Sequence, residues 1–421
     1  MSKEKQTPDN TVVDLTRARV RLRSRAAKAS SGSLADELDA ISLLLDRGHS
    51  VEAKSRLALV ISAARNEPVT LARARLALSY ALEMHGSHAE SLEAVAMYES
   101  EAARAALPPD LALKIKVQMS IAINYAGDHP KAIVLLKTAL RDLPEENAGA
   151  SAGDIYAGLA RVYRSITEYP IARDYSEKAR EIYRQSGDWR GLAEAYFGIA
   201  LAYNNEGKYE SALENLEQAA KLVGDRPSTF FLGKIYSNIA GAFWFLKRPQ
   251  EGIRHLEKAI GYYERTEHTS LAAEGYNNLG NNLILIGQWD RAQEMLERAL
   301  AGATEVDETH GRVAMILDSL GDLSLLKGNL DEAYGYLERA VKVATEDGNR
   351  WYACQAFRTL ARYYLAMDRN ADALATAQRA LEIAKTIGDV RATCESELLL
   401  SESYLRQGNP DLCVEELQKV A

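Results

Sequence analysis

A small residue recurs along this chain at a nearly constant interval, as Ala53, Ala89, Ala132, Ala172, Ala212, Gly252, Ala292, Ala333, Ala373 and Cys413. Successive separations are 36, 43, 40, 40, 40, 40, 41, 40 and 40 residues. Self-similarity at that period marks a repeat architecture, in which each unit is one supersecondary element that buries its apolar face only against its neighbours. The 421 residues would otherwise suggest two or three globular domains. The period replaces that expectation with a single array.

Three stretches show what repeats: NNLGNNLILIGQWDRAQEMLERAL from Asn277, DSLGDLSLLKGNLDEAYGYLERAV from Asp318 and RTLARYYLAMDRNADALATAQRAL from Arg358. Each reads as one helix, a Gly or polar break, and a second helix opened by the small residue. A second small residue lies twelve positions earlier, as Ala160, Ala200, Ala240, Gly280, Gly321, Ala361 and Ser401. Small side chains at both places let the two helices approach closely. Tyr125, Tyr163, Tyr203, Phe243, Tyr364 and Tyr404 are expected to fill the gap toward the next hairpin. The closing turns carry Gly187-Asp188, Gly224-Asp225, Gly348-Asn349 and Gly388-Asp389, where Gly suits a left-handed position and Asp or Asn an N-cap.

On these residues the chain resembles the tetratricopeptide repeat family, in a form about six residues longer than the common one. It is similar to the repeats of Pins-type polarity scaffolds, kinesin light chains and bacterial regulators in which such arrays precede an output domain. The resemblance implies an all-α fold, an α-solenoid superhelix of about ten helix-turn-helix hairpins. The expected repeats are 34–67, 68–107, 109–146, 150–187, 189–226, 228–267, 269–307, 309–348, 350–388 and 390–421, after a basic, disordered leader over 1–31.

Composition agrees and removes several function classes. Of ten prolines, eight (Pro68, Pro108, Pro109, Pro130, Pro144, Pro170, Pro249 and Pro410) fall at expected turns or first helical turns. No apolar run reaches the length of a membrane span. Net charge is −8, but residues 1–28 hold eight Lys/Arg against three Asp/Glu, or +5, leaving −13 for the remainder. A body so acidic is a poor partner for nucleic acid. Arg17, Arg19, Arg21, Arg23, Arg25 and Lys28 are the exception, a segment suited to solvent, acidic lipid, nucleic acid or the acidic array itself. Cys354, Cys394 and Cys413 form no paired framework, which points to a reducing cytoplasm. The seven histidines include no HExxH, and neither GxxxxGK[ST] nor GxSxG occurs. The sequence therefore calls for no catalytic residue, no metal site and no cofactor.

In the family the first helices line the concave side, with positions three before and one or four after the small residue facing the groove. Those positions supply Arg161, Arg164, Asn204, Ser237, Trp244, Asn277, Asn281, Asp318, Asp322, Arg358 and Arg362, with Asn205 beside them. Asparagine amides suit the backbone of an extended peptide, and arginines suit its carboxylates. The competing reading is that Asp318 and Asp322 pair with Arg358 and Arg362 across adjacent helices and merely stiffen the stack. Trp244 with Phe245 is either an anchor for a ligand or part of the core.

These patterns favour a protein- or peptide-binding scaffold. The alternatives are the sensing part of a larger transcription regulator or signalling enzyme whose output domain is absent, and a self-assembling structural scaffold. Leu405, Cys413, Val414 and Leu417 lie on the last hairpin with no eleventh to cover them, so either a loosely held last hairpin or a homodimer through it is expected.

Overall fold

The computed structural model describes residues 33–143, 149–307 and 310–420. The basic leader lies outside the described residues. Among the described residues there is no strand. The chain divides into two compact units, Met1–Gly158 and Leu159–Ala421.

The first unit contains α1 (Leu34–Asp46), α2 (Ser50–Ala63), α3 (Pro68–Met84), α4 (His88–Ala96), the short α5 (Glu101–Ala105), α6 (Pro109–Tyr125), α7 (His129–Arg141) and the first half of α8 (Ala150–Ser165). Its helices start where the sequence supplies caps. Ser33 accepts from the Asp36 amide while the Asp36 carboxylate accepts from Ser33, a reciprocal capping pair. Ile41, Ala53, Leu57 and Val60 form the core of the first hairpin.

The second unit runs from the end of α8 through α9 (Tyr169–Ser186), α10 (Trp189–Asn205), α11 (Tyr209–Val223), α12 (Thr229–Phe245), α13 (Pro249–Tyr263), α14 (Thr269–Leu285) and α15 (Trp289–Val306). It continues with α16 (Gly311–Lys327), α17 (Leu330–Glu346), α18 (Arg350–Ala366), α19 (Asn370–Ile387), α20 (Val390–Arg406) and α21 (Pro410–Val420). Consecutive helices pair as hairpins, and the array is an α-solenoid.

The recurring small residue is the fourth residue of each second helix, and most of its instances are fully buried. Close approach is why. A Cβ placed on Gly280 would lie 2.6 Å from Leu296 Cγ, and one on Gly321 2.6 Å from Leu337 Cγ. A larger residue on either helix would push the pair apart.

One member of the sequence series is misplaced. Ala89 is exposed, and the fourth residue of α4 is Ser91, which is 1% exposed. Its partner twelve positions earlier is Ser79, and the two hydroxyls bond at 2.8 Å. Gln118 Nε2 on α6 donates to Ser79 Oγ at 3.2 Å and to Glu83 Oε2 at 2.9 Å, which extends the contact. A hydrogen-bonded serine pair here replaces an alanine pair, so the irregular separations of 36 and 43 become 38 and 41.

The turn inside each hairpin needs a left-handed residue. Glycine fills it in most repeats, for example Gly207 with φ 74° and Gly287 with φ 74°, but Thr167, Lys247 and Asp368 adopt φ of 63°, 59° and 56° at the equivalent place. For a β-branched threonine that conformation is strained. Between hairpins three of the four expected caps are present; at Gly224-Asp225 the glycine has ψ −130° and the next helix starts later, behind Ser228, without a side-chain cap. Gly187 and Gly388 are left-handed, and Asp188, Asn349 and Asp389 accept from the first amides of α10, α18 and α20.

Tyr163 and Phe243 of the aromatic series stack within their own hairpins, on Tyr175 and His255 at 5.5 Å each, whereas Tyr125 and Tyr203 pack backward rather than toward the next hairpin. Tyr125 stacks on His88 at 4.0 Å and remains 42% exposed, while Arg173 lies over Tyr203 at 5.0 Å. Successive helices are antiparallel, so the end of one first helix meets the start of the second helix before it.

Candidate ligand pocket

In the second unit, consecutive first helices present one face to a common pocket of about 330 Å³. Helix α12 contributes Trp244 and Phe245, α14 Asn277, Asn278 and Asn281, and α16 Met315, Asp318 and Ser319. From α18 come Trp351, Cys354, Gln355 and Arg358, and from the turn into α20 and its first half come Asp389, Arg391 and Glu395. On α14, α16, α18 and α20 the lining includes residues three or four apart, the spacing that stacks side chains along one face.

Trp244, Asn277, Asn281, Asp318 and Arg358 were expected from the sequence to line a groove, and the pocket gathers all five. Arg161, Arg164, Asn204, Asn205, Ser237, Asp322 and Arg362 do not line it. Asn204 is half-buried with its amide oxygen unpaired, and Asn205 is exposed at the end of α10. Ser237 is half-buried on α12, and the half-buried Arg161 and Arg164 lie near the end of α8. Arg362 reaches Asp322 at 2.9 Å and joins α18 to α16.

The cross-helix pairing expected for both aspartates holds for one only. Arg358 makes no ion pair with Asp318 and pairs with Glu395, while its Nη1 donates to Gln355 Oε1 at 3.1 Å. Arg391 Nε donates to the same Glu395 at 2.8 Å. Both guanidiniums of the pocket are thus committed to one carboxylate.

Asp318 is 6% exposed, and its Oδ1 has no hydrogen-bond partner. Desolvation pushes its carboxyl up to about 7, reinforced by the nearby Asp322 and opposed by Thr359, Arg358 and Arg362. Asn277 is 1% exposed, and its Oδ1 is also unpaired. The expectation that Asn277 is a solvent-facing residue is therefore corrected. The spacing is right, but the neighbouring helix closes over the side chain. Asn281 is half-buried and donates from Nδ2 to Ser319 Oγ at 3.2 Å, while Ser319 in turn donates to the Met315 carbonyl at 3.1 Å.

Trp351 is 50% exposed and Phe245 49% exposed, so the rim carries large rings while the floor is polar. Phe245 stacks on Tyr209 at 4.9 Å with the rings 6° from parallel, which fixes its position. Cys354 is buried, its Sγ lies 3.4 Å from the Ala380 carbonyl, and burial raises its thiol, which makes it a poor nucleophile.

Sequence reasoning missed Trp351, Gln355, Met315, Arg391 and Glu395. Met315, Gln355 and Trp351 continue the face toward the N-terminus from Asp318 and Arg358, and Glu395 and Arg391 hold the matching places before Ser401. Extending the −3 position to −6 and −10 would have found them.

Among the described residues no group of three or more His, Cys, Asp or Glu is placed to hold a metal ion, and no helix is long and apolar enough to cross a membrane. Cys413 is buried, whereas Leu405, Val414 and Leu417 on the last hairpin are exposed.

No curated protein matches the sequence. Among solved structures, the apo form of RapI superposes with a TM-score of 0.63 at 14% identity, over 83% of this chain and 96% of that one. A Rap protein complexed with competence and sporulation factor gives 0.56 at 15%, over 83% and 96%. The apo form of the quorum sensor NprR from B. thuringiensis gives 0.57 at 13%, over 85% and 99%. Likeness at such low identity establishes the fold. A family model, Tetratricopeptide repeat, matches residues 151–223, 231–305, 271–346 and 312–386, more than half of the sequence. With the repeated hairpins and their small-residue contacts, this match places the chain in the tetratricopeptide repeat family.

Proposed function

We propose that the chain is a protein- or peptide-binding scaffold that seats its ligand in the pocket of the second unit. One observation carries this reading. Asn277 Oδ1 and Asp318 Oδ1 are buried in the pocket lining without a partner. A buried polar atom left unpaired costs about 1–3 kcal/mol, which a ligand donor would recover. Exposed Trp351 and Phe245 at the rim are the ring type that anchors polypeptide ligands. The Rap protein complexed with competence and sporulation factor is a precedent for ligand binding by this architecture.

The reading assigns no catalysis. In the lining the Ser319 hydroxyl donates to the Met315 carbonyl, and Cys354 is held as a neutral thiol. Three free cysteines fit a reducing cytoplasm. Contact between two copies through exposed Leu405, Val414 and Leu417 belongs to the same proposal, and sedimentation across concentration tests it. The sensing role in a regulator is the second reading, favoured by the likeness to the NprR quorum sensor.

The test is retention of a random-sequence peptide pool on the immobilised full chain. Peptides should be retained, and Trp351→Ala, a change at an exposed ring, should reduce retention about tenfold or more. A chain that retains nothing, or a variant that retains as much as wild type, contradicts the proposal.

A further inference from the structure

The pocket lining holds three carboxylates, on Asp318, Asp389 and Glu395, against two guanidiniums, on Arg358 and Arg391. Their commitments differ. Asp389 accepts from the Ala392 amide at 2.9 Å and caps α20. Glu395 holds both arginines. Of the three, Asp318 alone has a buried oxygen without a donor, and the buried, unpaired Asn277 Oδ1 belongs to the same lining. An anionic ligand meets guanidiniums already neutralised by Glu395, with the carboxylates of Asp318 and Asp389 in the same lining. A cationic ligand has no ion pair to break, and the two buried acceptors gain a donor once their side chains turn toward the pocket.

We propose that this pocket selects a positively charged group of its ligand, an ammonium or guanidinium, with Asp318 as its counter-ion and Asn277 Oδ1 as a second acceptor. The proposal rests on the peptide-binding reading above. Trp244, Phe245 and Trp351 line the same space and supply the π faces that favour a desolvated cation. The charge is supplied by a lysine or arginine side chain or by a free amino terminus.

Binding is coupled to a proton. In the empty pocket the Asp318 carboxyl holds its proton to about pH 7. A cation that bonds to the carboxylate displaces that proton to solvent, so the ligand's charge replaces the proton's and the pocket's net charge is unchanged. Affinity therefore rises with pH up to that point. The groups facing Asp318 are Asp322 on its own helix and Thr359, Arg358 and Arg362 on α18. From α14 the pocket receives only the neutral amides of Asn277, Asn278 and Asn281, and from the α20 side Asp389, Arg391 and Glu395.

The experiment uses the full chain and synthetic pools of short N-acetylated peptides, each with one fixed residue (Lys, Arg, norleucine or Glu) and the rest random. A further norleucine pool with a free amino terminus separates terminal from side-chain recognition. Lys or Arg pools, or the free-amine pool, should be retained about tenfold or more over the acetylated norleucine and Glu pools. That preference should grow from about pH 6 to about pH 8 and disappear in Asp318→Asn. Because preference and pH trend are both read on wild type, they stand even if the variant folds poorly. Equal retention of all pools, preference for Glu, or affinity falling with pH overturns this inference while leaving peptide binding intact. Retention of no pool overturns both.

Discussion

Arg362 closes on Asp322 at 2.9 Å, whereas Arg358, one turn earlier on the same helix, makes no ion pair with Asp318 and pairs with Glu395. One ion pair stiffens the step between two hairpins, and the other half of the same pattern is diverted and leaves a carboxyl buried in a pocket. That contrast separates framework from site within four residues of helix.

Asp318 makes stability depend on pH. Its ordinary value of 3.8 rises to about 7 in the folded chain, so between those values the folded state holds a proton that the unfolded state has released. Stability contributed by this group thus falls as pH rises through the window, by up to about 4 kcal/mol. Urea unfolding should find Asp318→Asn more stable than wild type at about pH 8, by about 1–4 kcal/mol, with the difference shrinking toward about pH 5. A difference independent of pH would show that the carboxyl is not held neutral.

Thr167 occupies a left-handed turn position that glycine fills in most other hairpins. Thr167→Gly should stabilise the chain by about 0.5–1.5 kcal/mol, the relief of strain exceeding the entropy glycine adds to the unfolded chain. A destabilised variant in urea unfolding would contradict this account of the turn.

Ala292 is fully buried at the helix contact, where its carbonyl lies 3.3 Å from the position of a Cβ on Gly280. Ala292→Leu should cost about 1–3 kcal/mol by overpacking. Unchanged unfolding would mean that the small-residue contact does not set the hairpin spacing.

Asn281 is part of the framework as well as of the pocket, through its bond to Ser319. Removing both Asn277 and Asn281 is therefore not silent for stability, as a pair of solvent-facing residues would be. Asn281→Ala alone should cost about 0.5–1.5 kcal/mol in thermal or urea unfolding. No loss would place Asn281 free of Ser319 in solution.

The hairpin architecture was legible because close helix contact permits only a small residue at the fourth position of each second helix, and a constraint repeated every 40 residues or so survives in any one sequence. The register failed at Ala89 because the residue that fills the position, Ser91, is a serine bonded to Ser79, and a hydroxyl pair does not look like an alanine pair. The site was legible in part. Helical periodicity brought Asn277, Asp318 and Arg358 to one face, but burial depth depends on the neighbouring helix, which a single helix's pattern does not encode. Trp351 and Glu395 were missed for a simpler reason, because the face was followed no further than three residues before the small position.

The central claim, that the pocket is where a polypeptide ligand binds, is tested most directly by amide hydrogen exchange of the full chain with and without a peptide recovered from the random pool. The expected result is added protection concentrated on residues 311–319, 350–358 and 389–395, with residues 33–143 unchanged. Protection confined to other hairpins, with those three segments exchanging as in the free chain, would contradict it.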